Sequence, residues 1–289
     1  MSNHLNLVHI AELMSELRAY QQRIVVIKIG GNSIAEDNQF LSKIARQVLF
    51  LTTNGVKVIL VHGGGPQIDQ ALYEKNIETK KAKDGRRITT TKAMRVVSSV
   101  RKSINMQVVK ALIEAGLPEN KILAAHKLHK FVVEAECIDP ANKKNNRSGN
   151  PIDIDRAFIN KALAKNQILV LHSIAIGKNK KTTYNTNGDD YAMVVARGVK
   201  AKRLVLVTNV AGVYNKDKQR IPLIDPAMAK NLIEEGVISG GMIPKVESAL
   251  KIIKQGVGGV AIIDGFIPWS ILGELLTRYG RGTLFQARH

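Results

Sequence analysis

Apolar residues along this chain fall into two patterns. Some form short, unbroken β-branched runs that stop at glycine, and others recur at three- and four-residue intervals. Residues 23–29 read RIVVIKI and end at Gly30-Gly31; residues 56–61 read VKVILV and end, after His62, at Gly63-Gly64-Gly65-Pro66. Runs without polar alternation suit strands buried on both faces, so both are predicted to be parallel strands. A helical spacing follows each, at 38–52 and 66–75, and another precedes the first, at 5–20, with Leu7, Ile10, Leu13, Met14 and Leu17 on one face.

The same reading predicts a helix at 90–114, a strand at 131–138, a helix at 157–165 and a strand at 168–174. Beyond these come a helix at 191–199, a strand at 204–208, helices at 228–235 and 244–255, a strand at 260–263 and a helix at 269–279. The polar stretches 139–150 and 177–183 read as loops, with a lobe boundary near the second. Alternation at this frequency predicts an α/β fold with a mainly parallel sheet covered by helices on both faces. Such sheets bind ligands at the carboxyl ends of their strands.

Composition narrows the classes. The 289 residues are 45% hydrophobic and 23% charged, with no apolar run of membrane-spanning length. His9, Glu12, Glu16 and Arg18 interrupt any secretory apolar region near the start. Cys137 is the sole cysteine, which excludes an internal disulfide and a multi-cysteine metal cluster and fits a cytoplasmic protein. The net charge of +19 is uneven: residues 75–110 carry eleven Lys or Arg against two acids. Such a patch attracts phosphates, carboxylates, acidic proteins or nucleic acid. Aromatic residues at 4% leave little with which to stack bases, so nucleic acid is not the expected partner.

Neither G-x-x-x-x-G-K-[ST] nor G-x-G-x-x-G occurs. Instead three glycine clusters, Gly30-Gly31, Gly63-Gly64-Gly65 and Gly240-Gly241, stand at predicted turns into helices, where backbone N–H groups and the positive helix end favour anions. Lys28 lies inside a predicted buried strand and needs an anion there. Lys245 opens a predicted helix, where the dipole disfavours a cation unless a ligand phosphate is present. Asp189, before another helix, reads either as a cap or as part of the same site.

Four segments carry a resemblance: Val26-Ile27-Lys28-Ile29-Gly30-Gly31-Asn32, Val61-His62-Gly63-Gly64-Gly65-Pro66-Gln67-Ile68, Gly240-Gly241-Met242-Ile243-Pro244-Lys245-Val246-Glu247, and Glu274-Leu275-Leu276-Thr277 through Gly280-Arg281-Gly282-Thr283. From about Arg23 to Phe285 the chain resembles the amino-acid kinase family, and the Gly-Gly-Met-Ile-Pro-Lys block resembles its N-acetylglutamate branch. The resemblance implies an open αβα sandwich with an acceptor-binding lobe at 23–178, a nucleotide-binding lobe at 179–289 and an N-terminal helix at 1–22 that can serve oligomerisation into a homodimer or hexamer. It implies ATP-dependent phosphorylation of the side-chain carboxylate of N-acetyl-L-glutamate to an acyl phosphate in arginine biosynthesis, with Mg²⁺ carried by ATP and no metal site of the protein itself.

By the same resemblance, Lys28 and Lys245 stabilise the transferring phosphoryl group and Asp189 holds them in place. Gly30, Gly31 and Gly64 contact phosphates, with Asn209, Gly241 and Met242 on the nucleotide side; Gly65, Arg87, Asn185 and Asn187 hold the acceptor. A carboxylate acceptor offers no proton to remove, so His62 reads as structural.

Several positions depart from the family pattern. Gly85-Arg86-Arg87-Ile88-Thr89-Thr90 adds a cation and loses an acid, residues 124–131 keep almost none of a glycine-rich stretch, and Asn209 stands where an aspartate is usual. Phe266 and Trp269 replace the basic residue and histidine of an arginine-inhibited site. Two alternatives stay open: a kinase for a related acylated or carrier-protein-bound amino acid, drawn by the cations at 80–87, and a non-catalytic regulatory or nucleic-acid-binding protein on the same fold.

Overall fold

The computed structural model describes residues 7–37, 39–82, 86–142, 145–240, 242–277 and 280–287. Its centre is the strand Ile24–Ile29, which pairs in parallel with Lys57–His62 on one side and Arg203–Thr208 on the other. Ile168–His172 and then Ile122–Ala124 extend the sheet beyond the former. Val260–Asp264, Thr283–Phe285 and Leu223–Ile224 extend it beyond the latter, and the one antiparallel junction among the described residues of this eight-stranded sheet lies between Val260–Asp264 and Thr283–Phe285.

Alternate residues of each central strand feed two cores. Val26, Ile59, Val61, Leu204 and Leu206 point into one, Val25, Ile27, Ile29, Leu60 and Val205 into the other. Both faces are therefore dry, which is why the strands carry no polar alternation. Helices Gly188–Gly198 and Met242–Lys254 contribute to the first core. Helices Phe40–Thr53, Thr91–Glu114 and Ser270–Leu276 contribute to the second, giving the expected sandwich.

The structure corrects the reading in the middle of the chain. The predicted strand 168–174 breaks at Ser173: Ile168–His172 stays in the main sheet, while Ile174–Gly177 joins Val133–Cys137, Ser148–Ile154 and Thr183–Thr186 in a small closed ring of strands. Part of the predicted loop 139–150 is thus strand, and 177–183 is the turn of an antiparallel hairpin.

At the end of the chain, Trp269 is 56% exposed with φ +59°, so it is not core. Gln47 Oε1 instead accepts the free amides of Ile271 and Leu272 at the start of the last helix, which ends at Leu276; residues 278 and 279 of the predicted span lie outside the described residues. In the first helix, Leu7–Tyr20, Leu17 and Tyr20 are buried while Ile10, Leu13 and Met14 are exposed. No helix among the described residues is long and apolar enough to cross a membrane.

Candidate active site

Strand order diverges at Ile24–Ile29: the chain winds one way through Lys57–His62 and the other through Arg203–Thr208. A crevice opens at the carboxyl ends on either side of such a point. Two glycine turns meet there. A Cβ on Gly31 would stand 2.7 Å from Gly64 N and 2.9 Å from Gly65 N, so only glycine lets the turns touch. Gly64 has φ +152° and a Cβ there would come within 2.5 Å of Ile104 Cδ1. Gly30 serves differently: its amide donates to Val207 O at 3.2 Å and ties the turn to the neighbouring strand.

Lys28 shares the strand face of Val26, the face covered by helix Gly188–Gly198. That register aims its ammonium at the helix N-terminus. Asn187 is the cap, its side chain accepting from Asp189 N and Asp190 N at 2.7 and 3.3 Å, which leaves the Asp189 carboxylate free for a different task. Asp189 Oδ1 lies 2.7 Å from Lys28 Nζ, and Oδ2 lies 3.9 Å from Lys245 Nζ, in the first turns of helix Met242–Lys254. Burial pushes the Asp189 pKa up, but the two ammonium charges and the Lys28 hydrogen bond outweigh it, and the net shift is downward. The carboxylate is ionised and the cap reading is set aside.

A cavity of about 310 Å³ gathers Lys28, Gly31, Gly64, Gly65, Arg87, Asn185, Asn187 and Asp189. Among the described residues five cations and two carboxylates line it, so it favours anionic ligands. Arg87 donates to Thr79 Oγ1 at 3.2 Å and Gly65 O at 3.4 Å and is ion-paired with Asp69. Asn185 Nδ2 donates to Thr89 Oγ1 at 3.0 Å, while its Oδ1 is buried without a partner among the described residues. Arg86 closes on Asp190 at 2.9 Å. Gly30, Asn209 and Met242 do not line this cavity: Asn209 is exposed just past Arg203–Thr208, and Met242 begins the helix that carries Lys245. Gly241, with Lys83 and Gly85 of the basic segment, lies outside the described residues.

Sequence reasoning passed over Asp69 and Arg101. Asp69 offered a signal, an acid four residues after Gly65 on the helix Gly65–Glu74. Arg101 offered none, because only the fold turns that face of its helix inward. His62 is structural as expected: Nδ1–H donates to Gly63 O at 2.9 Å and Nε2 accepts from Asn105 Nδ2 at 3.0 Å. Both partners fix a neutral ring, and burial first of all lowers its pKa to about 3.

Residues 23–264 match the amino acid kinase family. The chain belongs to that family. Relatives within it include the acetylglutamate kinases of Brucella abortus, 39% identical over 95% of this chain and 96% of the relative, and of Methylobacterium nodulans, 35% identical over 98% and 95%. The N-acetylglutamate synthase of Neisseria gonorrhoeae has the same fold, with a TM-score of 0.84 at 21% identity, covering 98% of this chain; the chain spans 64% of the synthase. In this amino acid kinase the Glu274 motif has a structural part: its carboxylate accepts the amides of Arg281 and Gly282, both at 2.8 Å, fastening the last helix to the last strand.

Proposed function

We propose that this protein transfers the γ-phosphoryl group of ATP to the side-chain carboxylate of N-acetyl-L-glutamate, forming an acyl phosphate in arginine biosynthesis. The observation that carries the reading is the Lys28–Asp189–Lys245 arrangement beside two touching glycine turns, in a chain whose near-full-length relatives are acetylglutamate kinases. The glycine cradle, which a Cβ would fill, and the paired ammoniums suit phosphate oxygens. When bound, ATP would supply the phosphoryl group and Mg²⁺ would supply further positive charge beside Lys28 and Lys245.

The protein's share is position and charge. A carboxylate oxygen is already an adequate nucleophile, so no base is required; the new O–P bond forms as the bond to ADP breaks. Two anions must approach each other, and Lys28 and Lys245 offset that repulsion. Asp189 fixes both ammoniums without neutralising them fully, since three charged groups leave a net positive centre. Gly31 and Gly64 let backbone approach the phosphates, while Gly65, Arg87, Asn185 and Asn187 orient the acceptor. Residues 23–178 form the acceptor side and 179–289 the nucleotide side, from which Asn185 and Asn187 reach the acceptor. The exposed Ile10, Leu13 and Met14 support residues 1–22 as an oligomerisation element of a cytoplasmic homodimer or hexamer.

Hydroxamate capture of the acyl phosphate, with ATP, Mg²⁺ and N-acetyl-L-glutamate, tests the reading. ATP-dependent hydroxamate supports it; none at millimolar acceptor overturns it.

A further inference from the structure

Arg101 projects from helix Thr91–Glu114 into the floor of the acceptor cavity, and only 4% of the residue is exposed. Such a guanidinium ordinarily meets a carboxylate, because burying an unpaired charge is expensive. Here its single hydrogen bond among the described residues runs from Nη1 to the neutral carbonyl of His62, at 3.3 Å, and Nε is buried with no partner. No ion pair reaches it among the described residues. Burial and the repulsive charge of Arg87 both lower its pKa. Arg87 differs: it already holds Asp69, Thr79 and Gly65 O.

Position tells which anion is missing. Lys28 adjoins Gly188 and is paired with Asp189, on the side where the phosphoryl group moves. Nη1 of Arg101 stands 3.5 Å from where a Cβ of Gly64 would be, so the bare glycine leaves the guanidinium open to the cavity. Asn185 Oδ1, also buried without a partner among the described residues, belongs to a residue that lines the same cavity. We propose that Arg101 is a further specificity-determining residue, which binds the non-reacting carboxylate of the acceptor beside Arg87. The inference rests on the reading above that the acceptor is N-acetyl-L-glutamate, and it adds Arg101 to the residues that hold it.

The test compares wild type with Arg101→Met, which keeps the stem, and Arg101→Lys, which keeps the charge. Losing a hydrogen bond to a charged group costs about 10- to 100-fold in affinity. Arg101→Met is therefore expected to raise KM for N-acetyl-L-glutamate about tenfold or more, with KM for ATP and kcat changed less than about threefold, and Arg101→Lys is expected to recover part of the loss. A purely structural role would instead move both KM values and kcat together, and that result, or an unchanged acceptor KM, overturns the inference.

If wild type makes no acyl phosphate, the acceptor reading falls by itself, and thermal shift with glutarate then decides the role of Arg101. Stabilisation of wild type but not of Arg101→Met upholds an anion site, and equal or absent stabilisation overturns it. Should Arg101→Met fail to fold, the same comparison is made with Arg101→Lys and with the arginine Nε–H resonances of wild type. A buried Nε–H resonance that moves on adding glutarate and is missing from Arg101→Lys upholds the site; one that stays still overturns it.

Discussion

Asp189 Oδ1 lies 2.7 Å from Lys28 Nζ although the two residues are far apart in sequence, one at the end of the central strand and one in the first turn of a helix. Because Asn187 takes the capping role, the carboxylate is available to orient ammonium groups. Asp189→Asn keeps the shape and removes the charge, turning an amide on one lysine. Turnover is expected to fall about 10²-fold, as when a preorganised electrostatic contact is lost. Lys28→Ala and Lys245→Ala each remove a donor to the moving phosphoryl group and should cost about 10² to 10³ in kcat. Near-normal kcat in a folded Lys28→Ala or Lys245→Ala protein contradicts the assignment.

Contact between the two glycine turns sets a second expectation. Gly31→Ala places a methyl 2.7 Å from a backbone nitrogen, which cannot swing aside as a side chain can. Gly64→Ala meets Ile104 at 2.5 Å and also a backbone angle that alanine resists. Overpacking of this kind costs about 1–3 kcal/mol. Both variants should melt earlier in calorimetry and lose turnover by more than their unfolded fraction explains, since the phosphate cradle is forced apart. An alanine at either site with wild-type kcat removes the cradle from the mechanism.

The buried histidines make stability depend on pH. Burial, first of all, lowers His62 to about 3 and His172 to about 4, from an ordinary 6.5. Between those values and 6.5 the unfolded chain binds protons that the folded chain refuses, so stability falls as pH falls. Moving from pH 6.5 to 5 should cost about 1.6 kcal/mol for each histidine, while the carboxylates are still ionised. Denaturant melts across that window measure the slope, and His172→Gln should remove roughly half of it. A flat profile in the wild type contradicts neutral burial of the pair.

The main sheet was legible because its signal is local: an unbroken apolar run such as 56–61 means a strand covered on both faces. Lys28 was legible for the same reason, as a charge deep inside such a run rather than at its start. The ring of short strands was not, because Ser148–Ile154 contains Gly149, Asn150 and Pro151, which read as loop residues and pair only through partners elsewhere in the chain. Asp189 was half legible: its place before a helix could be read, but that Asn187 is the cap could not. Arg101 sits in a long helix where charged residues recur, and nothing in its neighbours distinguishes an inward guanidinium from an outward one.

Asn209 gives the last prediction. It is exposed beyond the carboxyl end of Arg203–Thr208, next to the centre of the sheet and away from the acceptor cavity. An amide there accepts hydrogen bonds as a neutral group, whereas a carboxylate would accept them with charge, a difference of about 1 kcal/mol for one bond. If Asn209 belongs to the nucleotide side, Asn209→Asp should lower KM for ATP about fivefold and leave KM for N-acetyl-L-glutamate unchanged. Initial rates with each substrate varied in turn measure the two constants. A shift confined to the acceptor constant would move Asn209 to the other side of the reaction, while no shift in either would leave it a surface residue without part in binding.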